Sequence, residues 1–181
     1  MQRVTSRNNP RFREAERLLS SARDRRKAGK CVLEGEHLAS VYASRCGAPE
    51  SLIVSDDALL RPSVRELVER YTGETLIVPM PLFATLAILP ADVGVLAVVA
   101  KPQPATAAPA DFCLLLDDVQ DPGNIGSMLR SAAAAGVGQV LLSKRCAFAW
   151  SPKVLRAGQG AHFCVDIHED VDLVAVLLDL V

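Results

Sequence analysis

The stretch that decides the fold reads Leu114-Leu115-Leu116-Asp117-Asp118-Val119-Gln120-Asp121-Pro122-Gly123-Asn124-Ile125-Gly126-Ser127-Met128-Leu129-Arg130-Ser131-Ala132. Residues 112–116 are apolar without alternation, which is typical of a parallel strand covered on both faces. The segment 121–124 combines a fixed φ, a permissive glycine and short polar side chains, which predicts a tight turn and a helix N-cap. This pattern predicts an α/β protein with a polar site at the carboxyl end of a strand, where helix N–H groups and a neighbouring cation can act on a ligand.

Arg130 is the cation of this predicted site. Gly126 and Arg130 are four residues apart and therefore share one helix face. Because Gly126 has no Cβ, we expect the arginine to lie back across it and bring its guanidinium to the turn that holds Asn124. The alternative is that residues 121–124 form only a turn and that Arg130 is a solvated helix residue; the spacing alone leaves both open.

Charge is distributed unevenly along the 181 residues. The net charge of the whole chain is −1, which by itself argues against non-specific binding of nucleic acid. Residues 1–30, however, hold ten arginines and lysines against three acidic residues, a net charge of +7, so the remainder carries −8. Such an asymmetry is typical of a basic segment that meets a polyanion.

The cysteines and the N-terminal residues indicate in which cellular compartment the protein is expected. Five cysteines and three histidines are scattered without a CxxC pair, so we expect reduced thiols and no metal site. The N-terminus is polar and basic without a signal-peptide pattern, and the apolar runs are interrupted before bilayer-spanning length. These features predict a soluble, cytoplasmic protein.

The rest of the chain alternates short apolar runs with amphipathic segments. Residues 9–27 read as one basic helix with an apolar stripe at Phe12, Ala15, Leu18, Leu19 and Ala22. The pattern predicts a small α/β domain with strands at 31–34, 51–55, 75–78 and 94–99 and helices at 36–44, 63–71 and 81–87. A Pro-rich linker is predicted over 101–110. Beyond it, the pattern predicts a mostly parallel sheet with strands at 112–116, 137–142 and 163–166 and helices at 123–135, 152–156 and 170–180.

Three segments resemble the SpoU (TrmH-like) RNA ribose 2'-O-methyltransferases, which belong to the trefoil-knotted SPOUT class. Residues 116–126, followed by Leu129-Arg130-Ser131-Ala132 and Gly136, are similar to the first motif of that family. Ser151-Pro152-Lys153-Val154-Leu155-Arg156-Ala157-Gly158-Gln159-Gly160-Ala161-His162-Phe163 resembles its "SPKxxRASxGAxF" stretch, with Gly158 where serine is usual. Residues 5–10 and 33–38 resemble the substrate-binding domain of the family.

The resemblance implies a division of labour along the chain. Residues 1–100 would be an RNA substrate-binding domain of the ribosomal-protein L30e type, 101–110 a linker, and 111–181 the first part of a SPOUT-type methyltransferase domain. The implied reaction transfers a methyl group from S-adenosylmethionine to a ribose 2'-hydroxyl of an RNA, with ribosomal RNA favoured over transfer RNA. The family also implies a homodimer for the full-length protein.

The same resemblance assigns roles to individual residues. Arg130 matches the catalytic arginine; because a guanidinium stays protonated, we expect it to stabilise a developing alkoxide or to orient a phosphate. Asn124 would hold the arginine or the ribose by hydrogen bonds, whereas Asp117 and Asp118 read as structural caps and His162 as a core residue. Contacts to the RNA backbone are expected from Arg7, Arg25, Arg26 and Lys27, and from Lys153 and Arg156, for which a solvated helix face is the equal alternative.

One departure limits this assignment. Nothing in the chain matches the "GNExxG"-like and "SLNVSxAxxI"-like motifs that form the knot and most of the cofactor pocket in the family. We therefore expect a truncated, inactive form whose cofactor-binding residues stay unassigned. Two alternatives remain: a non-catalytic RNA-binding protein, and, more weakly, a nucleotide-binding α/β protein that uses residues 123–126 as a phosphate cradle.

Overall fold

The computed structural model describes residues 1–71, 73–86, 93–104 and 112–179. The chain folds as two compact units, Met1–Lys101 and Pro102–Val181, so the division falls inside the segment predicted as a linker. Most of that segment, and the end of the helix predicted at 81–87, lie outside the described residues. None of the helices in the described ranges is both long enough and apolar enough to cross a membrane.

In its described residues, the first unit contains a five-stranded mixed sheet with helices packed against it. Its strands are β1 (Gln2–Arg3), β2 (Lys30–Glu34), β3 (Ser51–Ser55), β4 (Glu74–Val78) and β5 (Val95–Ala100), in the spatial order β1-β4-β3-β5-β2. Strands β1, β4 and β3 are parallel, and β5 runs antiparallel to both β3 and β2. Its helices are α1 (Pro10–Ser20), α2 (Ala22–Ala28), α3 (Glu36–Arg45), α4 (Pro62–Arg70) and α5 (Met80–Phe83).

The basic helix predicted over 9–27 is two helices, which corrects the sequence interpretation. Asn9 caps α1 by accepting the backbone N–H groups of Arg11 and Phe12. Ser21 then leaves the helical region with φ −121° and ψ 113°, and its hydroxyl accepts the Asp24 N–H to start α2. Serine competes with the helical backbone for hydrogen bonds, which favours a cap over a helix interior. The first four predicted stripe residues are buried, and Ala22 is half-buried.

The second unit contains a parallel three-stranded sheet in the described residues, with strands β6 (Cys113–Leu116), β7 (Gln139–Ser143) and β8 (Asp166–Val171) in that order. Its helices are α6 (Pro122–Ala134), α7 (Pro152–Gly158) and α8 (Leu173–Asp179). The parallel sheet confirms the predicted α/β pattern. The strand predicted at 163–166 is wrong, because residues 161–163 form a 3-10 turn and β8 begins only at Asp166. The final helix accordingly begins three residues later than predicted.

Candidate active site

The loop between β6 and α6 carries the predicted site. The Asp121 carboxylate accepts the Asn124 N–H at 2.8 Å and so caps α6, which begins at Pro122. Proline suits the first helical position because its φ is already helical and it lacks the N–H that would stay unpaired there. The predicted turn and cap are therefore confirmed, with Asp121 as the capping residue and Asn124 in the first turn.

Asp118 occupies a special backbone position, with φ 55°, in the left-handed region that aspartate tolerates better than most residues. Its carboxylate pairs with Arg145 at 2.8 Å and accepts the Gln120 side-chain amide at 2.9 Å. The prediction that Asp117 and Asp118 are caps is wrong in this respect, because α6 is capped by Asp121. The Asp117 side chain is exposed, and within the described residues no hydrogen bond or ion pair engages it.

A second loop, Ser143–Ala147 at the carboxyl end of β7, holds the first one. Ser143 Oγ accepts the Asp118 N–H at 3.1 Å, and the Ala147 N–H donates to the Val119 carbonyl at 2.9 Å. Cys146 Sγ accepts the Val119 N–H at 3.4 Å. The sequence interpretation missed this loop. The sequence feature that could have identified this loop is its position directly after a predicted strand, since the carboxyl ends of neighbouring parallel strands meet at one edge of the sheet.

Arg130 and Asn124 are both exposed on α6, but the predicted placement of the Arg130 side chain across an open Gly126 is wrong. Gly126 is buried, and a Cβ built on it would lie 2.3 Å from the Ala157 Cβ and 2.8 Å from the Gly158 nitrogen. The space beside Gly126 is thus filled by α7 rather than by the arginine. Within the described part of the chain, no ion pair or hydrogen bond holds the Arg130 guanidinium, which leaves it available to a ligand.

Helix α7 presents two further cations. Ser151 caps it by accepting the Val154 N–H, and Val154 lies on its buried face. Lys153 and Arg156 are exposed. Helix α7 packs directly on α6 at Gly126, so Lys153 and Arg156 lie on the helix that contacts the one carrying Arg130.

His162 is a core residue, as predicted. Its ring is 2% exposed, Nε2 lies 2.9 Å from the Ala149 carbonyl, and the ring meets that of Trp150 edge-on at 5.3 Å. Burial lowers the pKa of His162 to about 4, so the imidazole is neutral at physiological pH. It sits in the 3-10 turn and not in a strand.

In the first unit, the predicted RNA contacts divide into two groups. Arg7, Arg26 and Lys27 are exposed. The prediction that Arg25 contacts RNA is wrong, because the residue is only 6% exposed. Its guanidinium donates to the Leu18 carbonyl and, at 3.1 Å, to the Leu19 carbonyl. Arg25 therefore satisfies the carbonyls at the end of α1 and cannot reach a phosphate.

A cavity of about 480 Å³ opens at the carboxyl ends of the three parallel strands. Leu115 and Leu173 form apolar parts of its wall, and Asp117, Ser143 and Arg145 form polar parts. This volume lies in the range of small-molecule sites, and ligands of open α/β sheets bind at this edge. In the described ranges, no group of three or more His, Cys, Asp or Glu side chains could hold a metal ion.

The second unit is similar in sequence to a known family. Residues 111–180 match the profile described as the SpoU rRNA Methylase family. The mouse protein "rRNA methyltransferase 3, mitochondrial" is 37% identical over 158 residues, which cover 82% of this chain and 37% of the relative. The Bacillus subtilis "23S rRNA (guanosine(2553)-2'-O)-methyltransferase RlmP" is 29% identical, over 92% of this chain and 64% of the relative. The chain thus spans from about two fifths to about two thirds of these relatives.

Solved structures give the same result for the fold. The SpoU methyltransferase AviRb from Streptomyces viridochromogenes, in complex with the cofactor AdoMet, superimposes with a TM-score of 0.82 at 27% identity. The match covers 96% of this chain and 67% of AviRb. A structure described as an RNA 2'-O ribose methyltransferase matches with a TM-score of 0.76, also at 27% identity, over 99% of this chain and 69% of its own.

Proposed function

We propose that the chain belongs to the SpoU rRNA methylase family, whose profile residues 111–180 match, and that the full-length protein is an S-adenosylmethionine-dependent RNA ribose 2'-O-methyltransferase. The observation that carries the proposal is the family segment itself, folded as a parallel strand, an Asp-capped helix start and an exposed, unengaged Arg130. The relative RlmP and the second matching structure both name the ribose 2'-oxygen in their descriptions, which supports this oxygen as the acceptor.

The described residues fit part of a cofactor site. The cavity at the carboxyl ends of β6, β7 and β8 has apolar walls suited to an adenine ring. Asp117 lines the same cavity, and its carboxylate is free to accept hydrogen bonds from ribose hydroxyls or from the ammonium group. When bound, S-adenosylmethionine would supply an activated methyl group on a sulfonium.

The roles of the chain's own residues follow from charge and exposure. A ribose hydroxyl is a weak nucleophile, so negative charge that develops on its oxygen must be stabilised as the bond to the methyl carbon forms. Arg130 supplies a permanent positive charge and several N–H donors, and it would stabilise that oxygen or fix the adjacent phosphate. Asn124, exposed in the first turn of the same helix, would orient the ribose or the guanidinium by hydrogen bonds.

Substrate binding is proposed to use both units. Lys153 and Arg156 would contact RNA phosphates near the transfer site, and Arg7, Arg26 and Lys27 would contact the backbone from a first unit of the L30e type. Such contacts position an RNA without reading its sequence, so structure in the RNA is what they select. Ribosomal RNA is the favoured class, because the descriptions of the relatives name it.

Assembly and location complete the proposal. The full-length protein would pair as a homodimer, as membership of the family implies, and would work in the cytoplasm. Light scattering on the purified full-length protein would test the first statement directly.

The test separates catalysis from binding in the full-length protein. Arg130→Ala should abolish methyl transfer to RNA and leave RNA binding largely intact, whereas Ser131→Ala, an exposed neighbour on α6, should leave both unchanged. Calorimetry should show saturable binding of S-adenosylmethionine. RNA binding without any cofactor binding would instead support the non-catalytic RNA-binding alternative, and equal loss of transfer and RNA affinity in Arg130→Ala would make Arg130 a docking residue.

A further inference from the structure

The corner between β6 and α6 is closed by a side chain from another loop. In a hydrogen-bonded four-residue turn over 116–119, the fourth N–H would donate to the first carbonyl. No such bond between the Val119 N–H and the Leu116 carbonyl forms among the described residues. Cys146 Sγ stands between the two groups instead: it accepts the Val119 N–H at 3.4 Å and donates to the Leu116 carbonyl at 3.2 Å.

Two more contacts fix the middle of the corner. Ser143 Oγ accepts the Asp118 N–H at 3.1 Å, and Arg145 pairs with the Asp118 carboxylate at 2.8 Å. Asp118 has φ 55°, so these contacts hold a position of the corner whose backbone conformation is unfavourable for a residue with a side chain. Ser143 and Cys146 also lie close to each other, with the hydroxyl oxygen and the sulfur 3.7 Å apart.

We propose that the Ser143–Ala147 loop sets the conformation of the 116–119 corner, and that Ser143 and Cys146 are positioning residues for the proposed methyl transfer. The inference rests on the proposed function only for its kinetic part. Asp117 lies inside this corner. Asp121, which caps the start of α6, lies two residues beyond the end of the corner at Val119. The orientation of Asp117 at the cavity and of the first turn of α6 therefore depends on the hydroxyl and the thiol from the second loop.

Three variants of the full-length protein test the proposal. Cys146→Ala and Ser143→Ala each remove a partner from a backbone N–H of the corner, whereas Cys146→Ser keeps one donor and one acceptor. Cys164→Ala is the control, because Cys164 is exposed in the same unit and lies outside this network. Amide hydrogen exchange at Val119 reports the corner, and exchange at Val140 in the middle of β7 reports general unfolding.

Loss of one partner to a half-buried N–H should lower kcat about tenfold and speed Val119 exchange about tenfold in both alanine variants. The KM for RNA and the exchange of Val140 should not change, and Cys146→Ser should recover most of kcat. Unchanged kcat and Val119 exchange in both alanine variants would overturn the proposal. So would a serine variant as impaired as the alanine one, or Val140 exchange that accelerates in step with Val119.

The exchange measurement separates this inference from the proposed function. If the wild-type protein transfers no methyl group to RNA in the presence of S-adenosylmethionine, the proposed function fails. Faster Val119 exchange in the two alanine variants would still support the positioning role, and unchanged exchange would refute it.

Discussion

Replacing Gly126 by alanine should destabilise the second unit, although the same change usually stabilises a helix. Alanine is favoured over glycine in a helix interior by about 1 kcal/mol. At Gly126, however, the new Cβ would lie 2.3 Å from the Ala157 Cβ, 2.8 Å from the Gly158 nitrogen and 2.9 Å from the Ala157 carbonyl carbon. Two of these atoms are backbone and cannot rotate away, so the overpacking cost falls at the upper end of about 1–3 kcal/mol. The expected net loss is about 1–2 kcal/mol.

Trp150 makes this prediction simple to measure, because it is the single tryptophan of the chain and lies buried in the second unit. Urea unfolding followed by its fluorescence should give the lower free energy of unfolding for Gly126→Ala, and Tm should fall by roughly 5–15 °C. Gly123→Ala is the matched control, since its Cβ would meet only the Asp121 carboxylate oxygen at 3.0 Å. Adding Ala157→Gly to Gly126→Ala should recover part of the loss. A Gly126→Ala protein as stable as wild type would refute the close packing of α6 on α7.

Two further predictions concern buried titratable groups. Arg25→Ala should lower the free energy of unfolding of the first unit by about 1–3 kcal/mol, because carbonyls at the end of α1 lose their donor. Arg26→Ala, at an exposed residue, should cost less than about 1 kcal/mol of stability but reduce the dependence of RNA affinity on log salt concentration by about one ion; equal effects of the two variants on RNA binding would contradict the assignment. Burial holds the pKa of His162 at about 4, below the value of 6.5 expected in the unfolded chain. The stability it contributes is present above about pH 6.5 and is lost, by about 1–3 kcal/mol, as the pH falls towards 4. His162→Gln should flatten this profile of the Trp150 unfolding midpoint, and an unchanged profile would contradict it.

The sequence predicted those elements whose signal is local. The predicted strand at 51–55 matches β3 (Ser51–Ser55), because its central residues form an apolar run that is fully buried. The strand β8 was placed too early for a related reason. It lies at one end of the order β6-β7-β8 in the described residues, and four of its six residues are polar: Asp166, His168, Glu169 and Asp170. Hydropathy therefore favoured the apolar residues just before it.

In the candidate site, too, the features set by neighbouring residues were predicted and those set by distant residues were not. Asp121-Pro122-Gly123-Asn124 identified the helix start because a cap and its first turn are neighbours in sequence. The role of Gly126 was misjudged because the atoms that fill its space come from α7, about thirty residues later, and no spacing within α6 reveals them. The contacts of Ser143 and Cys146 to the 116–119 corner were invisible for the same reason.

Close packing at Gly126 changes what must hold the site together. If the arginine lay across the glycine, α6 alone would fix the distance between Arg130 and the turn. Since α7 occupies that space, α6 keeps Ile125, Gly126 and Leu129 on its buried face and leaves Asn124 and Arg130 exposed. The position of the exposed pair then depends on two external constraints: the contact with α7, which sets the helix axis, and the Ser143–Ala147 loop, which sets where the helix begins. A substitution that disturbs either constraint should misplace both residues together, so combined changes at Gly126 and Cys146 should affect kcat less than additively if each already displaces the helix start.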